Sequence, residues 1–369
     1  MPTQASLPTP QPATRLNLLA QDQNAMDGLV RDMGWPRYRS QQILRWIHQH
    51  RVREIERMTS LSRAERARLS TVARVGRFDD CRAMTSTDGT KKFLARLDDG
   101  LIVEMVLIPD GRRLTLCLST QVGCTLDCRF CLTGTMGLKR NLRAHEIVDQ
   151  VLTVQDHLSD RRRLTNLVLM GMGEPLANFE AVSEAIARLT NPTWGLAIPA
   201  RRITLSTAGL APRLKQALDL GVTLAISLNA TSDAARTQLM PAVNRLYPLD
   251  LLVETCRGLP LPHRQRLTFE YVLLDKVNDS VQDARRLTKL LHGIRCKVNL
   301  IPFNEFPGGP FRRPSDAAVS GFQSTLRNAG LNVFLRKSKG RDVLGACGQL
   351  GDVAGQTDPG LITPTGTVH

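Results

Sequence analysis

Six short apolar runs, rich in β-branched residues and separated by helical stretches, constrain the fold of this chain more than any other feature. They cover residues 114–120, 166–170, 203–207, 224–229, 268–274 and 298–303. Strands that alternate with helices are typical of a parallel sheet, and six such units predict an incomplete β/α barrel. We therefore expect an α/β fold, a partial (β/α)6 barrel of the TIM type. Its reactive side chains should lie at the carboxyl ends of the strands and in the loops that follow them.

The remaining segments are arranged around this barrel. Residues 1–15, rich in Pro, Thr, Gln and Ala, predict a disordered N-terminus, and residues 16–90 predict a small, basic, helical accessory domain. Residues 91–110 alternate in polarity around Asp98-Asp99-Gly100, which predicts a β-hairpin extension. The barrel then covers residues 111–345. Residues 346–369 form a C-terminal segment with a loose tail, preceded by a further extended run at 331–337.

The charge balance favours a polyanionic partner. The chain has 49 basic and 34 acidic residues, a formal net charge of +15, and basic side chains release the counterions condensed on phosphates. The accessory domain is dense in arginine and interleaves Trp35, Tyr38 and Trp46, a mixture that suits the bases and phosphates of RNA. The alternative is a solvated arginine face over core aromatic residues, and for the aromatic residues we favour that alternative.

The sequence contains no sign of export or of a membrane anchor. No apolar run is long enough to span a bilayer, and residues 1–15 lack the apolar stretch of a secretory signal. We therefore expect a cytoplasmic protein with no membrane partner. In such a protein, clustered cysteines more often bind metal or take part in chemistry than form disulfides.

Three of the eight cysteines have the spacing C-x3-C-x2-C directly after the first barrel strand: Cys124, Cys128 and Cys131. A [4Fe-4S] cluster normally takes four thiolates, so three close cysteines leave one iron open. An open iron can bind S-adenosylmethionine (SAM) through its amino and carboxylate groups and pass an electron to its sulfonium. The cofactor then supplies a 5′-deoxyadenosyl radical. The alternative is zinc, which is disfavoured because a structural zinc site takes four protein ligands, usually in C-x2-C pairs.

Glycines and polar groups at the ends of other strands are candidates to hold SAM. Gly171-Met172-Gly173-Glu174-Pro175 follows the second strand, where Gly173 lets a ligand approach the backbone and Glu174 can accept from the methionine ammonium. The other candidates are Ser206, Ser227, Leu228, Asn229 and Asn304. Taken singly, each polar residue among them could instead be a helix cap or a turn residue, and for Ser206 the two interpretations are equally supported.

Several ordered motifs together resemble the RlmN family of dual-specificity RNA methyltransferases. They are G-C-x3-C-x-F-C, G-M-G-E-P, R-R-I-T-L-S-T, S-L-N-A and A-C-G-Q-L, and the resemblance extends from about Trp35 to Leu350. It implies a radical SAM barrel that methylates C2 of an adenine in 23S rRNA, in the peptidyl-transferase region, and in tRNA, 3′ of the anticodon. We also expect a monomer that receives its electrons from a donor such as flavodoxin.

The resemblance implies roles for individual residues. Cys347 matches a cysteine that carries the methyl group as S-methylcysteine, Cys117 a cysteine that resolves the RNA adduct through a transient disulfide, and Glu104 a proton acceptor. Gly173, Glu174, Ser206, Ser227, Leu228, Asn229 and Asn304 match SAM contacts. Many relatives have His where Asn229 stands. Because C2 of adenine is electron-poor, a carbon radical can add where polar methyl transfer from SAM should fail.

Two other functions remain open on this reasoning. A Cfr-like enzyme would use the same chemistry on C8 of the adenine, and overall resemblance favours C2. An iron–sulfur protein that binds RNA without turnover is disfavoured because Cys117, Glu104 and Cys347 are all present. The other three cysteines, Cys81, Cys256 and Cys296, are predicted to be structural.

Overall fold

The computed structural model describes residues 15–159 and 163–351. Almost all of the predicted disordered N-terminus and loose tail lies outside these residues. The chain forms two compact units. The described part of the first comprises residues 15–77 and Thr193–Gly195, and the second runs from Phe78 to Pro192 and onward from Leu196. No helix in the described part of the chain is long and apolar enough to cross a bilayer.

The first unit is mainly helical. Its elements are β1 (Leu16–Asn17), α1 (Gln23–Asp32), α2 (Tyr38–His48), α3 (Arg63–Val72) and β2 (Ala73–Arg74). A capping box starts α3, because the Ser62 hydroxyl accepts from the Glu65 N–H and the Glu65 carboxylate accepts from the Ser62 N–H. Arg39 on α2 forms an ion pair with Glu65 at 2.9 Å, which joins the two helices. Tyr38 is exposed and Trp46 half-buried, so the aromatic residues are not all in the core.

The second unit contains the large sheet. Its strands are β3 (Cys81–Thr85), β4 (Lys91–Arg96), β5 (Ile102–Asp110), β6 (Arg113–Cys117), β7 (Gln121–Gly123), β8 (Leu138–Asn141), β9 (Asn166–Leu169), β10 (Ile203–Thr207), β11 (Thr223–Ser227), β12 (Leu267–Leu273), β13 (Cys296–Pro302) and β14 (Val333–Leu335). Its helices are α4 (Leu132–Thr135), α5 (Ala144–Asp156), α6 (Phe179–Thr190), α7 (Leu214–Asp219), α8 (Asp233–Leu239), α9 (Pro241–Leu246), α10 (Leu249–Arg257), α11 (Val281–Leu290) and α12 (Asp316–Asn328).

Ten of these strands form one sheet in the order β14-β13-β12-β11-β10-β9-β6-β5-β4-β3. Within this sheet, β6 and β9 to β14 pair in parallel, and β3 to β6 pair antiparallel. β7 and β8 form a separate antiparallel pair. All six predicted barrel strands are present, and the extended run at 331–337 supplies a seventh parallel strand. β12 and β13 are buried along nearly their whole length, as expected for parallel strands covered on both faces.

The antiparallel extension is larger than predicted. The β4–β5 hairpin occupies the predicted 91–110 segment, with Leu94 opposite Glu104. However, β3 also pairs with β4, with Arg82 opposite Leu94. The first compact unit therefore ends at Arg77, not at residue 90. Residues 81–85 are half-buried or exposed and do not alternate regularly, so their sequence does not indicate a strand.

Candidate active site

An open pocket lies where the carboxyl ends of the parallel strands meet. It contains about 980 Å³ of empty space, including space open to solvent. The predicted residues that line it are Cys124, Cys128, Cys131, Gly173, Glu174, Ser206, Ser227, Asn229, Asn304 and Cys347. The structure thus brings together predicted residues from six separate segments of the sequence, as barrel geometry requires.

The three-cysteine loop is held in shape by its own backbone. Gly123, at the end of β7, has φ +76°, and a Cβ there would lie 1.8 Å from the carbonyl oxygen of Gly137. The Cys124 N–H donates to that same carbonyl at 3.2 Å, and the Cys131 N–H donates to the Cys128 carbonyl at 3.0 Å. Only glycine allows so close an approach of the two chain segments, so the loop depends on Gly123.

Burial controls the ionisation of these thiols. It raises the pKa of Cys124 to about 12 and also raises the pKa of Cys128 and Cys131. The three thiols should therefore become thiolates only when a cationic group supplies compensating charge. Among the described residues, no three His, Cys, Asp or Glu side chains converge closely enough to hold one metal ion. A cubane does not need such convergence, since each of its cysteines binds a different iron.

Glu174 is buried at the wall of the pocket. Its two oxygens accept the N–H groups of Leu176 at 2.9 Å and Ala208 at 2.8 Å, which fixes the carboxylate in position. Burial nevertheless raises its pKa to about 6. The neighbouring Gly173 has φ +99°, and a Cβ there would lie 2.7 Å from the backbone nitrogen of Gln121. The glycine is therefore required for this loop to pass beside the cysteine segment.

Asn304 offers an acceptor to the pocket. Its Nδ2 donates to the Cys347 carbonyl at 3.1 Å, whereas its Oδ1 is buried and has no protein hydrogen-bond partner. A buried acceptor without a partner is costly, and one that faces a pocket is satisfied when a donor such as an ammonium or hydroxyl group binds. Ser206 and Ser227 present further hydroxyl groups to the same space.

Asn229 and Leu228 have other contacts. Asn229 has φ +59°, in the left-handed region that asparagine tolerates, and its Oδ1 accepts the Val272 N–H at 2.9 Å. This bond ties the end of β11 to β12. Leu228 is fully buried and is absent from the pocket lining, and its N–H donates to the Glu270 carbonyl at 3.0 Å. The structure therefore does not bring Leu228 into the site.

A second pocket adjoins the first at Cys347. It has about 710 Å³ of empty space and is lined by both Cys117, at the end of β6, and Cys347. The first pocket also contains Cys347, together with Glu270 and Asn304, which line both pockets. Both cysteines are free. The Cys347 side chain is exposed because it projects into this open space, while the surrounding protein raises the pKa of both thiols, that of Cys117 to about 12.

Comparison with known proteins agrees with this geometry. A family model of the ribosomal RNA large subunit methyltransferase N-terminal domain matches residues 16–75, and a radical SAM superfamily model matches residues 118–288. The dual-specificity RNA methyltransferase RlmN of Syntrophobacter fumaroxidans is 49% identical over 322 residues, which are 87% of this chain and 94% of the relative. The chain belongs to the RlmN family. The protein of the same name from Syntrophus aciditrophicus is 45% identical over 91% of this chain and 96% of its own length.

A solved structure shares the fold. The crystal structure of a radical SAM methyltransferase from Sphaerobacter thermophilus has 40% sequence identity and a TM-score of 0.86, covering 90% of this chain and 98% of the other. As a member of the RlmN family, the chain is a radical SAM enzyme whose cofactors are a [4Fe-4S] cluster and SAM. The three free cysteines and the unpartnered Asn304 oxygen fit these two groups.

The predicted proton acceptor has a different environment from the other site residues. Glu104 lines neither pocket. It is buried on β5, where its Oε2 lies 2.9 Å from the Lys92 ammonium and accepts the Gly351 N–H at 3.0 Å. These contacts are those of a structural ion pair that also holds the C-terminal segment.

Sequence reasoning missed Glu270, which faces both pockets from the middle of β12. A signal was available, since Glu270 is a lone acid within the run Leu267-Thr268-Phe269-Glu270-Tyr271-Val272-Leu273, and a charged residue in a buried strand is rare. It also missed the basic run Arg336-Lys337-Ser338-Lys339 beside the second pocket. Only Arg336 and Lys337 of this run fall within the extended segment predicted at 331–337.

Proposed function

We propose that this enzyme methylates C2 of adenine in two RNAs. One target is an adenosine in the peptidyl-transferase region of 23S rRNA, and the other is the adenosine 3′ of the anticodon in tRNA. One observation carries the proposal. Cys347 lines the pocket of the three-cysteine loop and also the pocket that contains Cys117. One sulfur can therefore take a methyl group from SAM on one side and deliver it to a base on the other. The relatives' name, dual-specificity RNA methyltransferase, supplies RNA as the acceptor.

The residues of the first pocket would hold the cofactors. Cys124, Cys128 and Cys131 would bind three irons of the cluster, and Glu174 and Asn304 would accept hydrogen bonds from polar hydrogens of SAM. Gly173, Ser206, Ser227 and Asn229 line the same space. When bound, the reduced cluster and SAM supply the 5′-deoxyadenosyl radical that removes a hydrogen atom from the methyl group on sulfur.

The two remaining cysteines would act in sequence. Cys347 first takes a methyl group as a thiolate, since the thiolate is the nucleophile. After hydrogen removal, its methylene carbon would add to C2 of the adenine, and the adduct radical would give up the C2 proton and return one electron to the cluster, which was oxidised when SAM was cleaved. Cys117 then attacks the Cys347 sulfur, the sulfur–methylene bond breaks, and the carbon takes a proton to become the new methyl group. A Cys117–Cys347 disulfide remains, and external thiols reset it.

The accessory unit and the pocket rim would bind the RNA. The exposed arginines of the first unit suit the phosphates of a polyanionic strand. Arg336, Lys337 and Lys339 lie at the second pocket, where a base taken out of its stack would enter. We further propose that the protein acts in the cytoplasm as a monomer, reduced by a donor such as flavodoxin.

The order of the two cysteines provides the test. Cys347→Ala should retain the cluster and make no methyladenine, because no methyl carrier forms. Cys117→Ala should stop later, with RNA covalently attached through Cys347, which a denaturing gel resolves. The double variant should show no adduct. If neither single variant forms an adduct and no methylated Cys347 is found by peptide mass, the carrier mechanism is wrong.

The modified nucleoside identifies the carbon. Digested rRNA and tRNA from a deletion strain, with and without a plasmid copy of the gene, are compared by mass spectrometry. The complemented strain should regain 2-methyladenosine in both RNAs. Restoration of 8-methyladenosine would instead indicate the Cfr-like reaction, and restoration in rRNA alone would contradict the dual substrate.

A further inference from the structure

Glu270 is a buried acid that the proposed chemistry does not yet use. It stands in the middle of β12, is only 4% exposed, and its neighbours Phe269 and Tyr271 are fully buried. The amide of Asn299 on β13 donates to its Oε1 at 3.3 Å, a long hydrogen bond. A carboxylate is costly to bury with so little support, so its presence in a pocket wall points to a chemical role.

The position of Glu270 relates it to both reactive thiols. It lines the first and the second pocket, as Cys347 does. Its negative charge acts on both sulfurs. Desolvation by the surrounding protein is the main reason that the pKa of the Cys347 thiol is raised, and the Glu270 charge raises it further. The same charge also adds slightly to the raised pKa of Cys117. Among the described residues that line the second pocket, Glu270 is the only one with a carboxylate side chain.

The charged groups that face Glu270 come from three directions. Burial raises the pKa of its carboxyl group, and Arg336 after β14, Asn299 and Lys297 on β13 act in the opposite direction. On the pocket side lie the thiols of Cys347 and Cys117. Burial therefore makes Glu270 a stronger proton acceptor than a carboxylate in water, while the two cations allow it to be ionised.

The other acids near the site are engaged elsewhere. Both oxygens of Glu174 accept backbone N–H groups, from Leu176 and Ala208. Glu104 is paired with Lys92 and lines neither pocket. Glu270 thus lines the same pockets as Cys347, and its carboxylate oxygens can accept further hydrogen bonds besides the one from Asn299.

We propose that Glu270 is the general base that takes the thiol proton of Cys347 as the sulfur attacks the methyl carbon of SAM. This rests on the proposed function, which makes Cys347 the methyl carrier. The Glu270 carboxylate gains the proton and becomes a neutral acid, and the sulfur gains the methyl group. The bond between the sulfonium and its methyl group breaks, and its electron pair stays on S-adenosylhomocysteine. No electron donor is needed, so this step can be observed apart from radical chemistry.

The test measures methylation of Cys347 alone. Cluster-containing enzyme is mixed with SAM that carries a deuterated methyl group, without reductant or RNA. The mass of the peptide that contains Cys347 is then followed over time by mass spectrometry. The label separates new methyl groups from any already present. Glu270→Gln should slow labelling at neutral pH by at least about 100-fold, the usual effect of losing a general base. Glu270→Asp should restore part of the rate. Glu180→Gln, at an exposed acid of the same unit, should label at the wild-type rate.

A pH profile separates this role from a structural one. The wild-type labelling rate should rise as pH rises through the pKa of Glu270 and then level off, whereas Glu270→Gln should lack that step. Asn299→Leu removes the hydrogen bond that lowers the pKa of Glu270, so the midpoint should move to higher pH. Because Asn299→Leu keeps the Glu270 carboxylate, it tests the assignment even if Glu270→Gln folds poorly.

The outcomes are distinct. Wild-type labelling rates in Glu270→Gln, or an unmoved midpoint in Asn299→Leu, would overturn the assignment of Glu270 while leaving Cys347 as methyl carrier. If wild-type enzyme that binds SAM never labels Cys347, the proposed function itself fails.

Discussion

The buried ion pair between Lys92 on β4 and Glu104 on β5 gives a quantitative test of what Glu104 does. The Lys92 Nζ lies 2.9 Å from the Glu104 Oε2, and both side chains are about 95% buried, with exposures of 5% and 6%. Glu104→Gln removes the charge and keeps an acceptor for the Gly351 N–H. The change therefore leaves one ammonium group in the protein interior without its counter-ion.

The expected cost follows from that burial. Removing one partner of a buried pair destabilises a protein by about 3–5 kcal/mol, because the remaining charge stays out of water. At about 2 °C per kcal/mol for a large domain, the thermal midpoint should fall by about 6–10 °C. Lys92→Met together with Glu104→Gln removes both charges and should recover to within about 1–2 kcal/mol of wild type. The double-mutant cycle then gives the coupling energy.

The assay combines thermal unfolding with RNA methylation of the four proteins of the cycle, which are wild type, Glu104→Gln, Lys92→Met and the double variant. If Glu104 is structural, the double variant regains both stability and methylation. If Glu104 is also a proton acceptor, stability returns and methylation stays lost. If the free energy of unfolding of Glu104→Gln lies within about 1 kcal/mol of the wild-type value, the reasoning from burial is refuted, because an unpaired ammonium in the interior should destabilise the protein by more than that.

Three further predictions concern the cofactors and the RNA. Anaerobically reconstituted enzyme should hold about four irons, and Ala at Cys124, Cys128 or Cys131 should abolish the cluster absorbance; full iron retention in all three variants would contradict the site. Burial raises the pKa of Glu174 to about 6, so SAM affinity measured by equilibrium dialysis should fall as pH drops through about 6, and Glu174→Gln should lose that dependence. Arg63→Ala, at an exposed residue of the accessory unit, should weaken RNA binding and reduce the salt slope by about 1 if it contacts a phosphate; an unchanged slope would make it a solvated side chain.

The barrel strands were predictable because each is a local pattern. A parallel strand covered on both faces reads as a continuous apolar run, and the six runs correspond to β6, β9, β10, β11, β12 and β13. The strand β3 was missed because it lies at the edge of the sheet, where its residues are half-buried or exposed without regular alternation. An edge strand has little burial to impose a pattern, so its partner is visible only in three dimensions.

The site was predictable where its residues are close in sequence. The spacing of the three cysteines is itself the signal, and the glycine and acid of the G-M-G-E-P loop follow a recognisable strand. Leu228 could not be separated from its neighbours in this way. A residue at a strand end faces the pocket or the core depending on the local twist, and Leu228 is fully buried whereas Ser227 and Asn229 line the pocket.

The relation between Cys117 and Cys347 lay beyond any local pattern. They are brought together because the C-terminal segment returns to the carboxyl ends of the strands, where the Leu132 N–H donates to the Gly348 carbonyl and the Thr133 hydroxyl to the Leu350 carbonyl. These bonds join the segment that carries Cys347 to the helix that follows the three-cysteine loop. A carrier thiol must meet a methyl donor and an acceptor base that cannot occupy one space together. The Cys347 side chain lines two adjoining pockets, and its backbone segment is hydrogen-bonded to the helix that follows the three-cysteine loop. This cysteine can therefore meet both requirements without a large movement of the chain.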